Sequence, residues 1–135
     1  MKKILIMEDD TKIAAALGIR LEAAGYAVLT APDGLAGLRL ALEDKPDLIL
    51  MDIWMPVGLG FSVAQRLHSM GLSGIPIIFI TASKLKGLRE TAESLGAVAF
   101  FEKPYDADQL LAAVARGLHS NPVAPAKDSL ATVCG

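Results

Sequence analysis

Leu48-Ile49-Leu50-Met51-Asp52-Ile53-Trp54-Met55-Pro56 sets four apolar side chains in a row and then a carboxylate. The run Leu48 to Met51 is too short for a helix and lacks the alternation of a sheet with one wet face. A continuous apolar run of this length suits a strand covered on both faces, as in a parallel sheet. Ile4 to Met7, Ile75 to Ile80 and Val98 to Phe101 read the same way, with a weaker fifth run at Ala27 to Ala31.

Segments with helical spacing lie between these runs. Ile13, Leu17 and Leu21 recur every four residues and predict one inward stripe. Leu35, Leu38 and Leu42 predict another, as do Leu88, Ala92 and Leu95, which Gly96 follows as a C-terminal cap. A helix from about Gly60 to Met70 turns Val63, Leu67 and Met70 inward. The last helix starts at Asp106, an N-cap with Gln109 three residues on, and buries Leu110, Val114 and Leu118. The order βαβαβαβαβα predicts an α/β domain: a parallel sheet with helices on both faces and right-handed crossovers. There is no internal repeat. Periodicity stops after Ser120, and Pro122 and Pro125 fall among small residues. The expected organisation is one domain over residues 1–119, followed by a flexible tail or truncated linker over 120–135.

Composition narrows the classes of function. At 135 residues the chain is long enough for one core, and 53% hydrophobic with 21% charged suits a compact fold. A net charge of −2 without a basic cluster gives no footprint for direct nucleic-acid binding. The single cysteine, Cys134, rules out a disulfide framework within the chain and fits a reducing compartment. The apolar start Ile4 to Met7 stops at Glu8, short of an export core of ~7–15 residues. No stretch approaches the ~20 apolar residues that cross a bilayer. The expectation is a cytoplasmic protein with no membrane partner.

Ligands of open α/β sheets bind outside the carboxyl ends of the strands. Here the first strand runs into Glu8, Asp9 and Asp10, the third into Asp52, the fourth into Thr81 and the fifth into Lys103-Pro104. Carboxylates gathered on one rim repel each other, and a hard divalent cation resolves the conflict; two or three carboxylates plus waters suit Mg²⁺. Lys103 and Thr81 would give an incoming phosphoryl group a positive charge and a hydrogen bond. Asp52 is the favoured nucleophile, since a carboxylate can attack phosphorus to form an acyl phosphate. Taken singly, each of these residues also has an ordinary reading as a cap or a solvated loop residue; their joint arrival at four strand ends carries the weight. His68 and His119 fall on helices away from this rim, and the methionines mostly fall at core positions.

With these residues in view, the chain resembles the receiver domain of bacterial response regulators, the chemotaxis-receiver-like module of two-component signalling. The resemblance covers about residues 1–119 and rests on Lys3-Ile4-Leu5-Ile6-Met7-Glu8-Asp9-Asp10, Met51-Asp52-Ile53-Trp54-Met55-Pro56, Ile80-Thr81-Ala82 and Phe101-Glu102-Lys103-Pro104. It implies a doubly wound five-stranded parallel sheet in the order 2-1-3-4-5, a flavodoxin-like (βα)5 fold. It further implies Asp52 as phosphoacceptor, Asp9 as a direct Mg²⁺ ligand, Glu8 as a ligand mainly through water, and the Trp54 backbone carbonyl as another. Lys103 would pair with phosphoryl oxygens across a cis bond to Pro104, and Thr81 with Phe100 would form the switch. The implied partners are a histidine kinase or phosphotransfer protein at the first helix, with Ala14, Ala15, Gly18 and Ile19 outward. A downstream protein or a second copy would meet the fourth helix, fifth strand and fifth helix. Departures from the family pattern are Phe100 where many relatives have tyrosine, bulky Trp54 two residues past Asp52, and Val57-Gly58-Leu59-Gly60 without an acidic residue common in relatives.

Other functions fit less well. A phosphohydrolase with an aspartyl phosphate needs an acid two residues past Asp52, where Trp54 stands. An FMN binder needs a hydroxyl- and glycine-rich phosphate loop after the first strand, where three acids stand. A silent receiver that binds partners without phosphate does not need the full set of site residues. The expectation is a switch that catalyses its own phosphorylation and hydrolysis and is not a turnover enzyme, either stand-alone or cut from a longer regulator.

Overall fold

A computed structural model describes residues 1–54 and 60–119. Met55, Pro56, the Val57 to Leu59 loop, the 120–135 tail and Cys134 lie outside the described residues. Strands β1 (Lys3–Met7), β2 (Ala27–Ala31), β3 (Leu48–Asp52), β4 (Ile77–Thr81) and β5 (Ala99–Glu102) alternate with α1 (Thr11–Ala23), α2 (Gly34–Asp44), α3 (Gly60–Ser69), α4 (Leu88–Ser94) and α5 (Ala107–His119). The strands form one sheet in the order β2-β1-β3-β4-β5, and each adjacent pair is parallel. β4 and β5 each start and end later than their apolar runs. Pro76, which has no N–H to give a ladder, is left before β4, and the polar Thr81 and Glu102 close the two strands.

Alternate strand residues feed two cores. Leu5, Met7, Ile49, Met51, Ile77 and Phe79 pack under α2, α3 and α4. Ile4, Ile6, Leu48, Leu50, Ile78 and Ile80 pack under α1 and α5 with Leu17, Leu21, Leu110 and Val114. All five residues of β3 and of β4 are buried, which explains their unbroken apolar runs.

Caps fix the helix starts and stops. The Asp33 carboxylate accepts from the Ala36 N–H at 2.8 Å. That of Asp106 accepts from the N–H groups of Asp108 and Gln109 at 2.8 and 3.1 Å. Gly96 closes α4 with φ +81, a conformation that favours glycine.

Two helix faces differ from the sequence expectation. On α1 the buried residues are Ala14, Leu17, Gly18 and Leu21, while Ile13 is exposed with Ala15, Ala16 and Ile19. Ala14 and Gly18 are therefore not outward. A four-residue spacing defines a stripe but not which side of Leu17 and Leu21 turns inward, and the small residues let α1 sit close to β2, with Val28 3.5 Å from a Cβ built on Gly18. On α2 the inward face is Gly34, Gly37 and Ala41, and Leu35 is 59% exposed. A side chain on Gly37 would overlap the Met7 thioether, so the helix lies too close to the sheet for leucine there.

Candidate functional site

Strand order reverses at β1, which lies between β2 and β3, and Glu8, Asp9, Asp52 and Lys103 gather at the carboxyl ends of the sheet. The Glu8 N–H donates to the Ala31 carbonyl at 3.0 Å, carrying β1–β2 pairing one residue past the strand. Glu8 is buried, and its carboxylate accepts from the Asp10 N–H at 3.1 Å. Asp10 itself turns away from the rim. Its carboxylate accepts from the N–H groups of Lys12 and Ile13 at 2.9 and 3.1 Å and caps α1. Of the three consecutive acids, then, two face the site and the third positions them.

Asp52 ends β3 and is buried. One carboxylate oxygen accepts from the Trp54 N–H at 3.0 Å, and the other from the Lys103 ammonium at 3.1 Å. Lys103 reaches the site because its own N–H donates to the Thr81 carbonyl at 2.7 Å, beyond the end of β4. Its peptide bond to Pro104 is cis. The same ammonium donates to Glu8 at 2.9 Å, so one cation bridges two buried carboxylates. Burial pushes the Glu8 carboxyl above the ordinary glutamate value, and the hydrogen bonds from Lys103 and the Asp10 N–H pull it back only in part. For Lys103, burial works to lower the ammonium, but hydrogen bonds to Glu8 and Asp52 outweigh it and leave the group above the ordinary lysine value.

Carboxylate oxygens of Glu8, Asp9 and Asp52 lie within 4.8 Å of one another, with Asp9 exposed. Among the described residues, the Lys103 ammonium is the one cation paired with this cluster. The donors are hard oxygens and the uncompensated charge is that of a divalent cation, so the residues fit Mg²⁺. The Trp54 N–H places that residue's backbone beside Asp52. Thr81 is fully buried, and its hydroxyl oxygen accepts from the Ser83 N–H at 3.0 Å. Phe100 lies one strand over, buried on the α4 side of β5. The structure therefore gathers Glu8, Asp9, Asp52 and Lys103 directly, with Thr81 and Phe100 behind them. The sequence admits Asp10 as a cap only as an ordinary alternative for the acidic run, and it does not show Lys103 as a shared bridge. The N-cap preference of aspartate before an apolar helix could have signalled the first.

The model of the response regulator receiver domain matches residues 4–115. The chain belongs to that family. Among curated relatives of this receiver domain, the DNA-binding dual master transcriptional regulator RpaA of Synechocystis is 38% identical over 84% of this chain and 48% of its own length. The alkaline phosphatase synthesis transcriptional regulatory protein PhoP of Bacillus subtilis is 34% identical over 91% of this chain and 51% of its own. The chain thus spans about half the length of the curated relatives it matches. Among solved structures, the receiver domain of Francisella response regulator 1452 superposes with a TM-score of 0.82 at 26% identity, covering 87% of this chain and 97% of that one. The chemotaxis response regulator CheY4 of Vibrio cholerae gives 0.79 at 29% identity, over 87% and 99%. Among the described residues of the receiver domain, no helix is long and apolar enough to cross a membrane.

Proposed function

We propose that this receiver domain is a phosphorylation switch in which Asp52 accepts a phosphoryl group from the phosphohistidine of a histidine kinase or phosphotransfer protein. The observation that carries this reading is the Lys103 ammonium held 3.1 Å from Asp52 and 2.9 Å from Glu8, within a carboxylate cluster suited to Mg²⁺. A carboxylate oxygen of Asp52 attacks phosphorus as the bond from phosphorus to the donor imidazole breaks. Lys103 then exchanges carboxylate contacts for phosphoryl oxygens, which keeps its charge paired throughout. Glu8, Asp9, Asp52 and the Trp54 carbonyl are the proposed metal ligands; Mg²⁺ bound there supplies neutralising charge for the phosphoryl oxygens.

Thr81 turns toward the phosphoryl group, and Phe100 fills the space it leaves. The result is carried to α4, β5 and α5, where a downstream protein or a second copy would read it. The kinase-facing surface on α1 is Ile13, Ala15, Ala16 and Ile19, small or apolar and exposed. The domain acts in the cytoplasm, contacts nucleic acid only through what it controls, and turns over no metabolite. Similarity to transcriptional regulators supports a transcriptional output for the pathway, exerted outside the matched half.

Trp54 is the chain's single tryptophan and its backbone N–H donates to Asp52, so an indole two residues from the acceptor serves as a fluorescent reporter of the site. Mg²⁺ should change that fluorescence, and a small phosphodonor such as acetyl phosphate should change it again only after Mg²⁺ is present. A donor response of equal size in chelator would contradict the reading.

A further inference from the structure

Phe100 leads to a regulatory contact that the phosphoacceptor chemistry does not use. The residue is 8% exposed on the α4 side of β5, paired in register with Phe79 and clustered with Ala92. The guanidinium carbon of Arg89, in the first turn of α4, lies 4.8 Å from the ring centroid. Among the described residues Arg89 makes no ion pair, and its place near a helix N-terminus is unfavourable for a cation. The face of Phe100 is the one specific partner that the described residues give it. A tyrosine here would have a hydroxyl to anchor it in water; phenylalanine has only its faces and edge, so whatever covers a face sets its orientation.

We propose that Arg89 is a latch that holds Phe100 inward and so sets how much of the resting chain already adopts the conformation phosphorylation favours. The inference deepens the switch reading and rests on it for its signalling consequence, while the latch itself operates in the unphosphorylated chain. A partly exposed cation–π contact changes an equilibrium by roughly two- to fivefold, enough to tune a two-state switch without locking it. Lys84 and Glu102, paired at 3.0 Å but exposed, tie the loop before α4 to the end of β5 as a weaker second link. A shift of Thr81 at the root of that loop would move Arg89 along with the ring it covers.

The four phenylalanines, Phe61, Phe79, Phe100 and Phe101, give four signals in protein labelled with 4-fluorophenylalanine, and Phe100→Leu assigns the one that matters. Broadening by a soluble paramagnetic probe reads each ring's exposure. Arg89→Gln should raise the exposed population of Phe100 roughly two- to fivefold and leave the other three unchanged, with Arg89→Lys between it and the wild type. An Arg89→Gln spectrum in which Phe100 keeps its wild-type protection would overturn the latch. Phosphorylation by a small donor should slow in Arg89→Gln, by no more than that factor, and show no further Arg89 effect in the Phe100→Leu background. An equal Arg89 effect in both backgrounds would also overturn it. If the ring is released in Arg89→Gln but no variant accepts phosphate, the latch stands and the switch reading fails; if phosphate is accepted and the ring stays protected, the reverse holds.

Discussion

In the proposed metal site Glu8 meets two opposing demands, because a ligand must be ionised yet this one is buried beside Asp52. Burial raises its carboxyl above the ordinary 4.5, so the folded chain keeps this proton to a higher pH than the unfolded chain does. As pH rises from the ordinary value through the folded one, the native state binds more protons than the unfolded state, and the Glu8 contribution to stability falls. Lys103 does not obscure this interval: its raised value makes its contribution fully present below the ordinary lysine pKa and lost only as pH climbs through the folded value. Without divalent metal, denaturant unfolding should therefore show the wild type losing stability relative to Glu8→Gln as pH rises from the ordinary glutamate value through the raised folded one. A wild type that gains on the variant over that range would contradict the burial argument. Added Mg²⁺ should narrow the difference, because the metal favours ionised Glu8.

At the scale of elements, close backbone approach positions the site. The first residue of α3, Gly60, donates its N–H to the Ile53 carbonyl at 2.8 Å, and a Cβ there would sit 2.8 Å from the Asp52 carbonyl oxygen and 3.0 Å from the Ile53 Cα. Both neighbours are backbone and cannot swing aside. Gly60→Ala should thus destabilise by about 1–3 kcal/mol despite alanine's helix preference, measured by urea unfolding. A more stable variant would refute the close approach.

Strands β1, β3 and β4 were legible because they are buried on both sides, which writes each one as an apolar run. The carboxylate rim was legible because a parallel sheet brings its strand ends to one edge. The inward faces of α1 and α2 were not, since hydrophobicity selects leucines whereas tight packing on the sheet selects Ala14, Gly18, Gly37 and Ala41. The same packing divides two substitutions on α1. Ala15→Asp, on the exposed face, should slow transfer from the kinase and leave phosphorylation by a small donor intact, whereas Ala14→Asp should cost stability by burying a charge. Equal loss with both donors in Ala15→Asp would place the damage in folding.

Across the whole molecule, five parallel strands separate two cores, and among the described helices α4 is the shortest. Its seven residues, Leu88–Ser94, follow Gly87, which offers no side-chain cap, and Leu88, Ala92 and the C-cap Leu95 share a core cluster with Phe100 of β5. A phosphoryl group shifts the chain only through contacts that differ between two states, and in the proposed switch buried Thr81 makes that difference. Thr81→Ala should still accept phosphate yet lose the amide shift changes expected around Glu93 and Gln109; wild-type shifts that do not respond to phosphorylation would contradict this route. All of it depends on Asp52 being the nucleophile. The direct measurement is intact mass after incubation with a small phosphodonor and Mg²⁺: the wild type should gain the mass of one phosphoryl group and Asp52→Asn none, whereas equal labelling of the variant would contradict the account.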